Sequence, residues 1–109
     1  MPDADHLLLR LRALANPVRL WILCELTRNG AQYVSALARG AQISRPLLKM
    51  HLRKLEEAGL VTSETGTAEN GKSANFFTVC PFALHLTPDV IAQAAPQIPH
   101  NDGDPHGRD

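Results

Sequence analysis

Leu7, Leu8, Leu11 and Leu14 recur at the three- and four-residue spacing of one helical face, which predicts a first helix from about Asp5 to Ala15. Asn16-Pro17 then interrupts the pattern. Asparagine is a strong N-cap and proline at the first helical position gives up no needed hydrogen bond, so a second helix is expected from Pro17 to about Arg28, stopped by Asn29-Gly30. Its Val18, Leu20, Trp21, Ile22, Leu23, Cys24 and Leu26 are apolar nearly all round, which predicts burial on more than one side. A short third helix, Ser35 to Ala41, turns Val34 and Leu37 inward. Ser44 caps a fourth that ends near Ala58 with Gly59 at the stop position; Leu48, Leu52 and Leu55 form its buried stripe, supplemented by Leu47.

Two strands follow, Leu60 to about Thr67 and Ser73 to Cys80, with Asn70-Gly71 between them, a dipeptide suited to the positive φ angles of a hairpin turn. Thr87-Pro88-Asp89 marks the start of a closing helix leading into Val90, Ile91, Ala94 and Ala95. The expected fold class is therefore mainly α with a β-hairpin wing. A short helix, a tight turn, a second helix and a two-stranded ribbon make a winged helix-turn-helix, which sets one helix in the DNA major groove with the hairpin beside it. Residues 96–109 hold three prolines, two glycines and one aliphatic side chain, too little to offset the entropy of ordering them. They are expected to form a disordered acidic, histidine-containing tail. Residues 1–5 are expected to be a flexible arm, leaving 6–95 as the DNA-binding and dimerisation domain.

Composition sharpens this picture by position more than by total. The 109 residues allow one domain, and a hydrophobic fraction of 44% allows a core. No apolar run approaches the roughly 18 residues of a membrane span, and the acidic Met1-Pro2-Asp3-Ala4-Asp5 is unlike a secretory signal. The expected location is cytoplasmic, with no membrane partner. Cys24 and Cys80 are too few for a disulfide framework or a four-cysteine zinc site. The formal net charge is zero, which by itself speaks against a nucleic-acid partner. Yet nine basic residues from Arg10 to Lys54 face only Glu25, while eight acids from Glu56 onward face Lys72 and Arg108. Arg45, Lys49 and Arg53 recur every four residues and so share one face of the fourth helix, away from most of its leucines. A basic face on that helix points to double-stranded DNA. No nucleophile–base–acid set, phosphate loop or paired carboxylate stands out, so an enzyme is not expected.

Three stretches carry a family likeness: Leu11-Arg12-Ala13-Leu14-Ala15-Asn16-Pro17-Val18-Arg19-Leu20, the Ile43-to-Leu55 helix, and Glu57-Ala58-Gly59-Leu60-Val61. They resemble the "F-K-A-L-x-D-P-T-R-L", "L-S-Q-S-T-V-S-x-H-L-x-x-L" and "E-A-G-L-V" of the ArsR/SmtB winged-helix regulators of bacteria, and the likeness runs from about Leu7 to Cys80. The resemblance implies a sequence-specific transcriptional regulator, a homodimer on a near-palindromic operator. Its two reading helices would enter major grooves roughly 34–36 Å apart. It implies DNA contacts from Ser44, Arg45, Pro46, Leu47, Lys49 and Met50, with Arg53 on phosphate and Lys72 on the wing. Arg45 suits a bidentate guanine contact, Leu47 and Met50 suit thymine methyls, and Lys49 and Arg53 suit phosphates. His51 falls on the family's His-Leu pair and reads as a packing residue, with base readout as the alternative. The first and last helices are expected to form the dimer interface, Leu7, Leu11 and Leu14 meeting Val90, Ile91 and Ala94.

The chain departs from the family twice. Gln42 stands where glycine is usual, so it must accept a positive φ at a cost of roughly 1 kcal/mol unless Gly40 shifts the turn. Tyr33 and Ser35 stand where thiolate sensors carry Cys-x-Cys, which removes that metal site. Other sensors of the family use carboxylates and histidines of the closing helix. Here His85 and Asp89 would share a face if that segment is helical. His6, beside Asp3 and Asp5, with His100 and His106 would complete the site, whose imidazole and carboxylate ligands suit Ni(II), Zn(II) or Co(II), and a resemblance to nickel-responsive members of the family puts Ni(II) first. The alternative is that these histidines are simply solvated. Cys24 on its apolar helix reads as inert packing, with a thiol-based redox-responsive regulator as the alternative. A winged-helix protein–protein interaction module without an operator is the other rival, and a protein co-regulator is a possible additional partner.

Overall fold

The elements run α1 (Ala4–Leu14), α2 (Pro17–Asn29), β1 (Gln32–Tyr33), α3 (Val34–Ala41), α4 (Arg45–Glu57), β2 (Val61–Thr67), β3 (Ser73–Val79) and α5 (Pro88–Ala94). This computed structural model describes residues 4–94; the tail expected over 96–109, with His100 and His106, and the first three residues of the arm lie outside them. The three helices, the fourth helix, the hairpin and the closing helix occur in the order the hydrophobic spacing predicts. The two-residue strand β1 was not legible, because two residues show no alternation. It pairs antiparallel with β3 (Gln32 opposite Phe77, Tyr33 opposite Phe76), so the wing is a three-stranded sheet of order β1-β3-β2.

Local chemistry accounts for the helix ends. Asn16 Oδ1 accepts the Arg19 N–H at 3.1 Å and Pro17 opens α2. Ser44 Oγ accepts the Leu47 N–H at 3.3 Å, so its hydroxyl sets the start of α4 and tolerates Pro46 in the first turn. Thr87 Oγ1 does the same for α5, accepting from Val90 N at 3.1 Å. At the wing tip Ala68 and Lys72 close the loop (Ala68 N to Lys72 O, 2.8 Å), and Gly71 takes φ +82°. Asn70 does not take a positive φ, contrary to the paired positive angles its dipeptide suits; its Oδ1 instead accepts the Lys72 N–H at 3.0 Å.

The core lies where α2, α3, α4 and the sheet converge: Ile22, Leu37, Leu48, Leu52, Leu55 and Leu60 are fully buried. Helix α2 meets four elements, in keeping with burial on more than one side, but one stripe of it stays in solvent. Leu20 is 51% exposed and Cys24 is exposed, so Cys24 is not the packed, inert thiol expected from an apolar helix. The reason is that α2 packs against α1, α3, α4 and β3 through Ile22, Leu23 and Leu26, which leaves its opposite stripe uncovered.

The turn between α3 and α4 resolves the two readings of Gln42 and Gly40. Gln42 is the C-cap of α3 at φ 59°, ψ 43°, the one non-glycine with positive φ among the described residues. Gly40 stays helical because Trp21 lies on it; a Cβ there would stand 2.8 Å from Trp21 Cη2. Replacing Gln42 by Gly should therefore stabilise the fold by about 0.5 kcal/mol, the relief of left-handed strain exceeding the extra chain entropy of glycine. In thermal melts this appears as a rise of roughly 2–4 °C. An unchanged or lower midpoint would show that the turn carries no strain at this position.

Candidate nucleic-acid interface

Helix α4 divides its residues cleanly between two sides. Leu48, His51, Leu52 and Leu55 are buried, whereas Ser44, Arg45, Pro46, Leu47, Lys49 and Arg53 are exposed and Met50 is half-buried. The three cations expected on one face are thus all in solvent. Leu47, assigned to the leucine stripe as a supplement, is 42% exposed and belongs with the cationic side. The wing brings Lys72 to the same place. Arg45 and Lys49 of α4, Lys72 and Asn75 of the hairpin, and Tyr33 and Ser35 at the start of α3 line one open cleft of about 350 Å³. Strand β1 makes this possible. Tyr33 packs edge-to-face on Phe76 with ring centroids 5.3 Å apart, which ties the start of α3 to β3 of the wing. Two cations on a helix and one on a ribbon, facing a shared concavity, suit a polyanion whose phosphates lie on either side of a groove.

Behind that face lies a polar joint that the helical spacing did not single out. Arg19 is buried. Its Nε donates to the Ala13 carbonyl at 2.7 Å and its Nη2 to the Arg12 carbonyl at 3.2 Å. Leu11 and Leu14 already accept from Ala15 N and Asn16 N, so Arg19 completes the four terminal carbonyls of α1. It also places a cation at the negative end of that helix. Its Nη1 lies 3.0 Å from His51 Nδ1 on α4. An arginine can only donate, so Nδ1 accepts and the imidazole is neutral with its proton on Nε2. Burial, then the nearby charges of Arg19 and Lys54, hold the ring below the ordinary histidine range. His51 is therefore a packed structural residue, not a base reader. Arg19 was detectable: with Ile22, Leu23 and Leu26 it sits at i, i+3, i+4 and i+7, on the stripe that faces the core.

The described candidate ligands His6, His85 and Asp89 are not gathered into one site. His85 lies in the segment before α5, outside any helix, so it does not share a helical face with Asp89; Pro88 begins the helix too late. His6 is on the exposed side of α1, lining a cleft with Asp5, Leu9 and Glu57. Among the described residues no group of three or more His, Cys, Asp or Glu side chains could hold a metal ion, and His100 lies outside them. Of the expected dimer residues, Leu7, Leu11 and Val90 are half-buried and Ile91 is 45% exposed. Leu14 is half-buried against the chain's own core and Ala94 is already buried. Leu9, Phe82 and Leu86 are exposed apolar residues that the spacing did not assign.

A helix-turn-helix with a solvent-facing cationic helix beside a cationic ribbon defines a winged-helix, DNA-binding transcriptional regulator, not an enzyme. Comparison with known proteins agrees. A helix-turn-helix domain family model matches residues 14–64. An uncharacterised HTH-type transcriptional regulator of Methanocaldococcus jannaschii is 33% identical over 79 residues, covering 72% of this chain and 81% of its own length. The HTH-type transcriptional repressor SmtB of Mycobacterium tuberculosis is 33% identical over 84 residues, 77% of this chain, which spans 58% of that relative. Among solved structures, HlyU from Vibrio cholerae superposes with a TM-score of 0.58 at 28% identity, over 86% of this chain and 89% of its own. A homodimeric winged helix-turn-helix DNA-binding domain from Mycobacterium bovis, a possible ArsR-family regulator, gives 0.59 at 25% identity, over 85% and 75%. The chain belongs to the HTH-type transcriptional regulators. No described helix is long and apolar enough to cross a membrane.

Proposed function

We propose that this chain is a homodimeric, sequence-specific regulator that binds a near-palindromic operator through α4 and the wing. The observation that carries the reading is the shared cleft of Arg45, Lys49 and Lys72, which joins helix and ribbon into one cationic surface. Arg45, in the first turn of α4, is placed to reach a guanine edge, with exposed Leu47 and half-buried Met50 set to meet thymine methyls. Lys49, Arg53 and Lys72 hold phosphates. Exposed Leu9, Phe82, Leu86 and Ile91 supply apolar surface for a second copy, and the M. bovis neighbour is described as homodimeric. Selection from a random 30-base-pair duplex library tests the reading. Enrichment of paired half-sites about one helical turn apart supports it. Recovery of unenriched sequence contradicts it.

A metal-dependent form of this regulation requires a site shared between protomers, because one chain does not gather three ligands among its described residues. Its described members would be His6, His85 and Asp89. Titrating Ni(II), Zn(II) and Co(II) with and without duplex decides the matter. A change in duplex affinity at one ion per site is what linkage demands. Unchanged affinity removes metal control.

A further inference from the structure

Among the described residues, the Arg19–His51 contact is the place where a buried titratable group links the reading helix to the rest of the body. It ties three elements at once. Arg19 belongs to the first turn of α2, holds the terminal carbonyls of α1 and reaches His51 midway along α4. Lys49 and Arg53 flank His51 by two residues on either side and project from the other face of the same helix, so the ring is directly behind the cationic surface. We propose that His51 is a positioning residue for DNA binding and that a proton at its Nδ1 acts as a negative effector, by removing the acceptor that seats α4 on Arg19.

The chemistry is a single protonation. A proton from solvent takes the Nδ1 lone pair that now accepts Arg19 Nη1–H. Two cations then stand where a donor and an acceptor stood, 3.0 Å apart in a buried joint. The charges acting on the ring are Arg19 from α2 and Lys54 from α4 itself, both positive. From α1 come Arg12 and Ala13 carbonyls, already held by Arg19. The elements packed on α4 also carry Asp5, His6, Arg10 and Arg12 of α1, Glu25 and Arg28 of α2, Arg39 of α3 and Glu64 of β2, while burial, Arg19 and Lys54 are what hold the ring's protonation down. The folded ring takes up its proton at lower pH than in the unfolded chain, whose histidine titrates near 6.5. The stability the neutral ring contributes is thus complete above about 6.5 and is lost as pH falls from there toward the folded value. Linkage also runs the other way: a duplex that prefers the seated helix makes His51 harder to protonate.

This inference rests on the α4 face as the DNA surface, and one experiment separates the two. Affinity for the selected duplex is measured by fluorescence anisotropy at pH 7.5, 6.5 and 5.5, with far-UV circular dichroism at each pH. Wild type should bind about tenfold more weakly at pH 5.5 than at 7.5 while remaining folded, the scale of one lost charge-assisted hydrogen bond. General charge gives the opposite sign, because any gain of positive charge tightens binding to a polyanion. His51→Asn offers Arg19 an acceptor oxygen that does not titrate, and should remove the loss. Affinity that is flat or rises with acid, or an equal loss in His51→Asn, overturns the inference. Absence of duplex binding at pH 7.5 overturns the functional reading instead. If His51→Asn does not fold, nitrogen-15 spectra of wild type give the answer. Amides of Arg45, Lys49 and Arg53 should shift in step with His51 ring titration, and unmoved α4 amides overturn it.

Discussion

Arg19→Ala is expected to lower stability by about 3 kcal/mol, or upwards of 12 °C in melting temperature. The loss comes from what is left behind. Arg12 and Ala13 lose their donors at the end of α1, and His51 Nδ1 is left as a buried acceptor with no donor. Arg19 is held by two carbonyls and a ring nitrogen, so the penalty is that of unmade hydrogen bonds. Arg19→Lys should recover less than half of it. An ammonium carries the charge but not the planar fork that spans two carbonyls and a ring nitrogen. Thermal melts of the two variants check this, and a lysine variant as stable as wild type would mean that charge at the α1 terminus, not the fork, holds the joint.

The second large effect is on DNA. Lys49→Ala with Arg53→Ala should weaken binding to operator and random duplex alike, by roughly 30-fold at moderate salt, and lower the salt slope by about 2 per protomer. Both side chains are exposed, so melting temperature should hardly move. Arg45→Ala should differ in kind: the selected duplex loses affinity while random duplex loses little, because a base-edge contact specifies and a phosphate contact only holds. If Arg45→Ala lost operator and random binding in the same proportion, as the double variant does, Arg45 would be a phosphate contact.

How much of this was legible depended on the length over which a pattern repeats. Helices α1, α2 and α4 have three or more turns and recognisable caps, so Asn16-Pro17 and Ser44 placed them closely. The αL angle at Gln42 was legible from the family's glycine at that place. Strand β1 was hidden because two residues carry no period, and its pairing with β3 is a long-range event. The joint at Arg19 was overlooked for a different reason: a charged residue on a buried stripe looks like an interruption of the stripe until its partners are known. The exposure of Cys24 and Leu20 was beyond sequence, since an apolar helix reveals how much it can bury but not how many neighbours arrive to cover it. His85 and Asp89 were brought together by a spacing that holds only inside a helix, and α5 begins at Pro88.

The central claim is that α4 and the wing together form the DNA surface. It is tested most directly by titrating the selected duplex into nitrogen-15-labelled protein and mapping which amides move. The account predicts that the largest shifts fall on Ser44 to Arg53 and on Asn70 to Asn75, with α2's exposed Leu20–Cys24 stripe unmoved. Shifts concentrated on α1, α2 or α5 while α4 and the hairpin stay still would contradict it.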